Sequence, residues 1–314
     1  MLTSKASSKI KVYYEVTKPK IWYLLVFTAF GAALTAQNLY DVEVSPITWA
    51  LLIGSVTAGS AAANTLTNYN DRDIDAIMDR TRDRPIPSKR IYPAEKALYF
   101  GLILATVSLV GSFAINVWAG LLMAFGLVDN ILVYSKLLKR RSRSNIVLGG
   151  FSGGAPALIG YVAVTTANWE LGLVMAGLVF LWIPLHIWSL ALHIKEDYAK
   201  AKIPMLPVVN SEKTSVRVIA GTTLMMVLFS IVPSLMMQDG TFAVPSLIID
   251  EPKKWIFGGI YLYTAIASGA IMLALSIWLL VKPTEKASWT VFKFSSPYLA
   301  ILFIALMVDS GLKP

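Results

Sequence analysis

The sequence of 314 residues contains no cysteine and only two histidines, His186 and His193. Disulfide bonds, thiolate metal sites and cysteine nucleophiles are therefore excluded. Charged residues are also scarce, at 15% of the chain, whereas hydrophobic residues make up 56%. This composition is far more apolar than that of a soluble domain, so it indicates a membrane protein.

Long apolar runs recur along nearly the whole chain. Crossing a hydrocarbon core about 30 Å thick takes about 20 largely apolar residues, and windows of this kind predict nine membrane-spanning helices. Residues 1–20 lack an apolar stretch that ends in a cleavage site, so we expect no removable signal peptide. We predict an all-α, polytopic membrane protein of one domain, residues 1–314, with its helices around a central cavity. The predicted spans are 21–37, 46–69, 95–115, 117–136, 146–165, 170–193, 214–237, 255–281 and a short 296–311.

The formal net charge of +9 would suggest nucleic acid in a soluble protein, but its distribution follows the membrane. If nine spans alternate from a cytoplasmic N-terminus, all but Lys253, Lys254 and Lys313 of the 28 lysines and arginines fall on the inner side. This asymmetry follows the positive-inside rule and predicts a cytoplasmic N-terminus and an outer C-terminus. We therefore attribute the positive net charge to insertion into the lipid bilayer, which is the expected partner, and we expect no binding to nucleic acid.

Aspartates crowd into the stretch "NTLTNYNDRDIDAIMDRTRDRPIP", which follows the second apolar run. No proline precedes Pro85, so the helix is predicted to continue beyond the membrane surface. Asn64, Asn68, Asp71 and Asp75 then share one helical face. Carboxylates one turn apart repel unless a cation lies between them, and Mg²⁺ accepts carboxylates together with phosphate oxygens and waters. The pattern favours a magnesium site, whereas the remaining acids are expected to pair with local arginines; these acids are Asp73, Asp79 and Asp83.

A second acidic pair follows the sixth span. Glu196 and Asp197 come one helical turn after His193, which itself lies seven residues after His186. Both acidic clusters end even-numbered spans and so face the same side of the membrane. A diphosphate with bound Mg²⁺ needs anionic ligands from both sides, so we interpret the two clusters as halves of one site.

A diphosphate site also needs cations that hold the phosphate oxygens and stabilise the leaving group. Basic residues on the inner face also set the orientation in the membrane. Each of them therefore has either this role or a role in phosphate binding. Within the fourth span, Asn130 is polar at membrane depth, where such residues usually face a cavity or a partner helix. Tyr134 lies one turn later and would line the same cavity. The candidate phosphate-binding cations are Arg80, Arg84, Lys136 and Arg140.

Three stretches resemble the protoheme IX farnesyltransferase (haem O synthase) family, a branch of the UbiA-type intramembrane prenyltransferases. They are "DRDIDAIMDRTRDRPIP", "YSKLLKRRSRSNIVLGGFSGGAPALIGYVAV" and "WIPLHIWSLALHIKEDYAKAKIPMLPVV", and the likeness runs from about residue 15 to residue 215. Thr67 stands where the superfamily motif has asparagine, four residues before Asp71. Asn64 and Asn68 flank this position, and either would supply the amide.

The resemblance implies that Asp71, Asp75 and Asp197 are catalytic and bind Mg²⁺. The implied reaction transfers a farnesyl-type group from a prenyl diphosphate to a vinyl group of haem b and adds water to give a hydroxyethyl-prenyl side chain. His186 would approach the haem iron or propionates, and Glu196 would contribute to substrate binding. The resemblance also implies a cell-membrane location with a cytoplasmic active face, and partners in haem handling or terminal-oxidase assembly.

Two other interpretations fit parts of the sequence. A related enzyme would prenylate a quinone precursor, a chlorophyll precursor or a glycerol-phosphate lipid instead of haem. A transporter would instead carry discontinuous helices at the bilayer midplane, whereas most carboxylates here lie at one interface. The length of the prenyl chain does not follow from the sequence, because it depends on which side chains close the tunnel.

Overall fold

The computed structural model describes residues 2–236 and 256–312. The outer connection predicted at 238–254, with its acidic residues Asp239, Asp250 and Glu251, lies outside the described residues, as do Lys253, Lys254 and Lys313. An interfacial helix, α1 (Leu2–Val16), precedes the first span. Short helices on the side of the bundle that is predicted to be the inner side are α4 (Arg72–Asp75), α7 (Asn145–Leu148), α10 (Lys195–Lys200) and α11 (Leu206–Val209).

Within the described ranges, nine helical segments are long and apolar enough to cross a membrane, which confirms the all-α, multi-pass prediction. Eight follow the predicted spans to within a few residues. The ninth is longer than predicted, because its first three turns carry Lys286 and Lys293 and fall below the hydropathy of a spanning window. The segments are α2 (Pro19–Tyr40), α3 (Pro46–Asn70), α5 (Glu95–Ile115), α6 (Val117–Val128) with its continuation to Leu138, α7 and α8 (Asn145–Val164 together), α9 (Trp169–His193), α12 (Glu212–Phe229) with a turn to Leu235, α13 (Gly259–Val281) and α14 (Glu285–Gly311).

Several span boundaries follow from local capping chemistry. The Ser45 side chain accepts the backbone N–H of Thr48 at 3.1 Å at the start of α3, directly before Pro46. The Asn116 side chain accepts the N–H of Ala119 at 2.8 Å and starts α6. These bonds satisfy N–H groups that have no partner within the first turn of a helix.

Small residues allow the central helices to approach closely. A buried row of alanines and threonines on α2 packs against α8 and α14. At Gly160 of α8, an added Cβ atom would lie 2.0 Å from the carbonyl oxygen of Ala29. Without a hydrophobic driving force between helices in lipid, such backbone contacts are a main source of packing energy.

Two irregular segments differ from the predicted continuous helices. The helix α3 ends at Asn70 instead of running on, and Asp71 leaves the helical conformation with φ −94° and ψ 4°. The fourth span changes from α-helix to a π-helix at Asp129–Leu138. Segments of π-helix are rare and often mark functional sites. Both irregularities lie at the inner ends of neighbouring spans.

Candidate active site

Asp71 and Asp75 lie one turn apart at the inner end of the second span. The N–H of Asp71 bonds to the Thr67 carbonyl at 2.9 Å, and the N–H of Asp75 bonds to the Asp71 carbonyl at 2.8 Å. The helical path therefore continues locally although α3 has ended. Both aspartates are buried, at 3% and 2% exposure. They form a buried acidic pair.

Each buried carboxylate pairs with a cation. One oxygen of Asp71 accepts a hydrogen bond from the Lys139 ammonium, whereas Asp71 Oδ1 is buried without a hydrogen-bond partner among residues 2–236 and 256–312. The Arg84 guanidinium donates to both oxygens of Asp75, at 2.9 and 2.8 Å. Burial disfavours the Lys139 ammonium, but Tyr134 and Asp71 outweigh this effect, so the pKa of Lys139 is raised above its ordinary value. Lys139 is therefore charged at neutral pH.

Lys18 is a further cation of this site, and our sequence reasoning did not select it. It directly precedes Pro19 at the start of α2, in the left-handed backbone conformation with φ 53°. Burial lowers the pKa of Lys18 well below its ordinary value, and the Arg84 charge lowers it further, whereas Asp75 and Asp71 oppose the shift. Lys18 thus lies within electrostatic reach of both ion pairs. The only sequence signal was a lysine directly before the proline that opens the first span.

The two candidate amides occupy different places. Asn68 is buried in the site: its Nδ2 donates to the Val16 carbonyl at 2.7 Å, and its Oδ1 accepts from Arg84 at 3.4 Å. Asn64 lies deeper and its Nδ2 donates to the Ser60 carbonyl at 2.9 Å. Asn68 is therefore the amide beside the acidic pair.

The second acidic cluster meets the chain segment that follows Asp75. The Asp197 carboxylate accepts the backbone N–H groups of Asp79 and Arg80, each at 3.1 Å. Lys200 adds an ion pair with Asp79 at 2.5 Å, whereas Glu196 is exposed. In the part of the chain that the structure describes, no group of three or more His, Cys, Asp or Glu side chains lies close enough together to hold a metal ion.

The other predicted cations and Tyr134 differ in their exposure and in their contacts. Arg140 donates to both oxygens of Asp73, at 2.7 and 2.6 Å, and this bond lowers the pKa of Asp73. Lys136 is exposed. The Lys139 ammonium lies 5.9 Å from the centre of the Tyr134 ring. The Arg80 side chain is exposed as well, so Arg80 contributes to the described contacts through its backbone.

His186 lies in the interface between α9 and α14. Its ring stacks on Trp182 with centroids 4.2 Å apart and contacts Phe292 at 4.5 Å. Its Nδ1 lies 2.6 Å from Ser295 Oγ. His193 stacks on Trp289 at 4.6 Å in the same interface. In this arrangement the His186 ring is held by protein contacts on both faces.

A mostly apolar chamber of about 110 Å³ lies within the bundle. Its walls come from α2, α3, α6 with the following π-helix, and α8. Four polar side chains interrupt the apolar lining: Ser60, Asn64, Asn130 and Ser152. Asn64 belongs to the same helix that carries Asp71 at its end, so the chamber and the buried ion pairs are neighbours along α3.

The model of the UbiA prenyltransferase family matches residues 24–250 of the chain. The chain belongs to this family. It is 58% identical to Protoheme IX farnesyltransferase 2 of Cenarchaeum symbiosum (strain A), over 100% of both chains. These matches confirm the resemblance seen in the motifs.

Solved structures have the same fold. One, described for digeranylgeranylglyceryl phosphate synthase, superposes with a TM-score of 0.74 at 21% identity, covering 96% of this chain and 99% of the other. A UbiA homologue from Archaeoglobus fulgidus, bound to GPP and Mg²⁺, superposes with a TM-score of 0.57 at 13% identity over 95% of this chain and 99% of the other. The UbiA-type helical architecture is therefore confirmed.

Proposed function

We propose that this protein transfers a farnesyl-type prenyl group from a prenyl diphosphate to a vinyl group of haem b, giving haem O and diphosphate. The 58% identity to a protein named protoheme IX farnesyltransferase supports this acceptor. The observation that carries the proposal is the buried Asp71 Oδ1 atom, which has no partner in the described part of the chain although Lys139 holds the other oxygen. An unpaired buried oxygen is costly unless it binds a further group.

The donor set fits Mg²⁺. Asp71 and Asp75 would hold the ion, because hard divalent cations prefer carboxylate and phosphate oxygens. Support comes from the A. fulgidus homologue, whose structure contains GPP and Mg²⁺. When bound, the metal would neutralise the diphosphate and favour its departure as a leaving group. We propose that Asp197 joins this set after releasing the N–H groups of Asp79 and Arg80.

The cations of the site would hold the diphosphate. Lys139 and Arg84 form charge-assisted bonds to carboxylates here, and phosphate oxygens accept the same bonds. Lys18, whose pKa burial lowers, would take up a proton when the anionic diphosphate binds and would then add a third positive group beside them. Charge that develops on the leaving diphosphate would then meet donors that are already in place.

The chamber would receive the prenyl chain and the reacting carbon. Its apolar walls exclude bulk water, so an allylic cation formed there survives until the vinyl group attacks it. The Tyr134 ring lies beside the site and offers a π face toward positive charge. His186 would contribute to haem binding from α9 after its ring leaves the aromatic stack.

We further propose a single domain over residues 1–314 in the cell membrane, with the N-terminus and the active face in the cytoplasm. The concentration of lysines and arginines on one side supports this orientation. Proteins that handle haem or assemble a terminal oxidase would be its partners, since the proposed product is a haem.

The test is mass spectrometry of haem after incubation of the purified protein with Mg²⁺, haem b and prenyl diphosphates of two lengths. The proposal expects a haem that carries one prenyl group, and none without Mg²⁺ or with Asp71→Ala. The same assay with a quinone precursor or a glycerol-phosphate lipid tests the other acceptors. Prenylation of one of these acceptors without any prenylated haem would contradict the proposal.

A further inference from the structure

One buried carboxylate, Asp129, has no part in the mechanism above. It begins the π-helix of the fourth span and is 5% exposed. A charged side chain at membrane depth is costly and usually serves a function. Among the residues that the structure describes, only Ser152 hydrogen-bonds this carboxylate: its backbone N–H donates to Asp129 Oδ2 at 2.8 Å.

Asp309 in the ninth span shows the purely structural alternative. Both of its oxygens accept backbone N–H groups, from Gly258 and Tyr261, each at 2.7 Å. This carboxylate caps the first turn of α13, and its two oxygens are both used. Asp129 in contrast has a single backbone donor, which leaves one of its oxygens available to another group.

The partner of Asp129 faces the chamber. Ser152 lines the chamber together with Asn130, whose Nδ2 donates to Ser152 Oγ at 3.4 Å. Asn64 lines the same space from α3. These three side chains and Ser60 thus interrupt an otherwise apolar wall, and the carboxylate lies next to Ser152. Such a polar group of side chains provides the partners that an ordered water needs.

Asn64, Asn130 and Ser152 lie at about the depth that is expected for the reacting carbon of the substrate. Asn70 Nδ2 lies 3.4 Å from the Ile131 carbonyl and 3.4 Å from Ser135 Oγ, so the end of α3 lies level with residues 131–135 of the π-helix. Asn64 precedes Asp71 by seven residues, which is about 10 Å along a helix. The carbon that is transferred is bonded directly to the diphosphate, so it would lie between the aspartates and these polar residues.

We propose that Asn64, Asn130 and Ser152 hold the water that completes the proposed reaction, and that Asp129 receives its proton through the Ser152 hydroxyl. This inference rests on the proposed function. Transfer of the prenyl group breaks the allylic C–O bond, forms a C–C bond to the terminal vinyl carbon and leaves a cation on the inner vinyl carbon. The water oxygen donates an electron pair to that carbon. One water proton passes to Ser152 Oγ, whose own proton turns from the Gly149 carbonyl to Asp129.

Without this relay the cation has another outcome. It loses a proton from the adjacent carbon and gives an alkenyl side chain, which is lighter than the hydroxyalkyl product by one water. The ratio of hydroxylated to alkenyl haem therefore reports on the water site, whereas the sum of the two reports on prenyl transfer. A residue with only a structural role would change the sum and leave the ratio unaltered.

The experiment measures both products by mass spectrometry for the full-length protein with Mg²⁺, haem b and prenyl diphosphate. Asp129→Asn keeps the size of the side chain and an oxygen for the Ser152 N–H. The ratio of hydroxylated to alkenyl product is expected to fall by about 100-fold, the lower end of the range for lost acid–base assistance. Ser152→Ala is expected to lower the ratio as well. The matched control Asp309→Asn changes the other membrane-embedded acid and leaves the ratio as in the wild type.

The outcomes separate the two proposals. An unchanged ratio in Asp129→Asn and Ser152→Ala, or an equal fall of both products, overturns the water site while prenyl transfer stands. If Asp129→Asn does not fold, the product ratio of Ser152→Ala alone tests the water site. Absence of any prenylated haem with the wild type overturns the proposed function itself.

Discussion

The Asp197 carboxylate accepts the backbone N–H of Arg80 at 3.1 Å and joins two inner connections that lie 117 residues apart in the chain. The N–H of Asp79 donates to the same carboxylate at 3.1 Å, and Lys200 pairs with the Asp79 side chain. The inner segment after Asp75 is therefore fastened to α10 across the mouth of the site.

Asp197→Ala is expected to release this segment. Loss of a carboxylate that holds two N–H groups costs about 1.5–3 kcal/mol per hydrogen bond, so the backbone amides of Asp79 and Arg80 lose protection. Hydrogen–deuterium exchange of a peptide that covers 76–82 measures this loss. Glu196→Ala, which changes the exposed neighbour, is the control. Equal exchange in both variants would contradict the contact.

Asp71→Asn is expected to reduce prenyl transfer by at least about 100-fold, the scale of losing one group that stabilises developing charge. The amide keeps the shape of the side chain but removes the anionic oxygen that is unpartnered in this structure. The rate of prenyl-haem formation at saturating Mg²⁺ measures the effect. Asp73→Asn, which alters an exposed acid paired with Arg140, should retain most activity. Comparable losses in the two variants would argue against a special role for Asp71.

Lys18→Gln is expected to weaken binding of the prenyl diphosphate by roughly tenfold, as for loss of one charge-assisted hydrogen bond. The KM for prenyl diphosphate should rise while the KM for haem b stays constant, because Lys18 lies beside the ion pairs at the phosphate end of the site. Lys20→Gln removes an exposed charge two residues later and serves as the control. A parallel rise in both KM values would point to misfolding instead.

Gly160→Ala is expected to lower the thermal stability of the detergent-solubilised protein. The added methyl group would meet the Ala29 carbonyl at 2.0 Å, and a helix backbone cannot yield as a flexible side chain does. Overpacking of this kind costs about 1–3 kcal/mol. The control Gly221→Ala places a methyl group where no atom lies within 4 Å. A melting temperature for Gly160→Ala equal to that of this control would contradict the close helix contact.

The Glu15–Arg90 pair is expected to make the docking of α1 sensitive to acid. Arg90 donates to both oxygens of Glu15, at 2.5 and 2.6 Å, and lowers the pKa of Glu15. Its stabilising contribution is therefore complete above the unfolded pKa of about 4.3 and is lost as the pH falls through the lowered folded value. The effect is small because the pair is partly exposed. Melting curves of wild type and Glu15→Gln should differ above this pH and converge below it.

The spans were predictable because each is a local property of the chain. Apolar windows predicted eight segments closely, and the ninth was underestimated where Lys286 and Lys293 enter its first turns. Lysine side chains extend to the interface from such positions, so a lysine does not end a spanning helix. Lys293 Nζ lies 5.1 Å from the centre of the Trp289 ring, one turn nearer to the start of the helix.

The acidic pair was predictable, but its partners were not. Local spacing suggested that Asp73 would pair with nearby arginines, whereas it binds Arg140 from the next inner connection. Lys139 reaches Asp71 from the same connection, and Lys18 approaches from the first span. Helical periodicity describes only neighbours three or four residues apart. Contacts between different connections depend on how the bundle closes, which one sequence does not encode in any short pattern.

The two buried ion pairs give the unloaded site a balanced charge. Lys139 with Asp71 and Arg84 with Asp75 provide two positive and two negative groups. An incoming magnesium diphosphate therefore exchanges partners within a neutral cluster and does not add a bare charge to the membrane interior. Substrate entry of this kind is an exchange of ionic partners. Occupancy of the site by prenyl diphosphate would therefore fall more with added polyphosphate than with added simple salt.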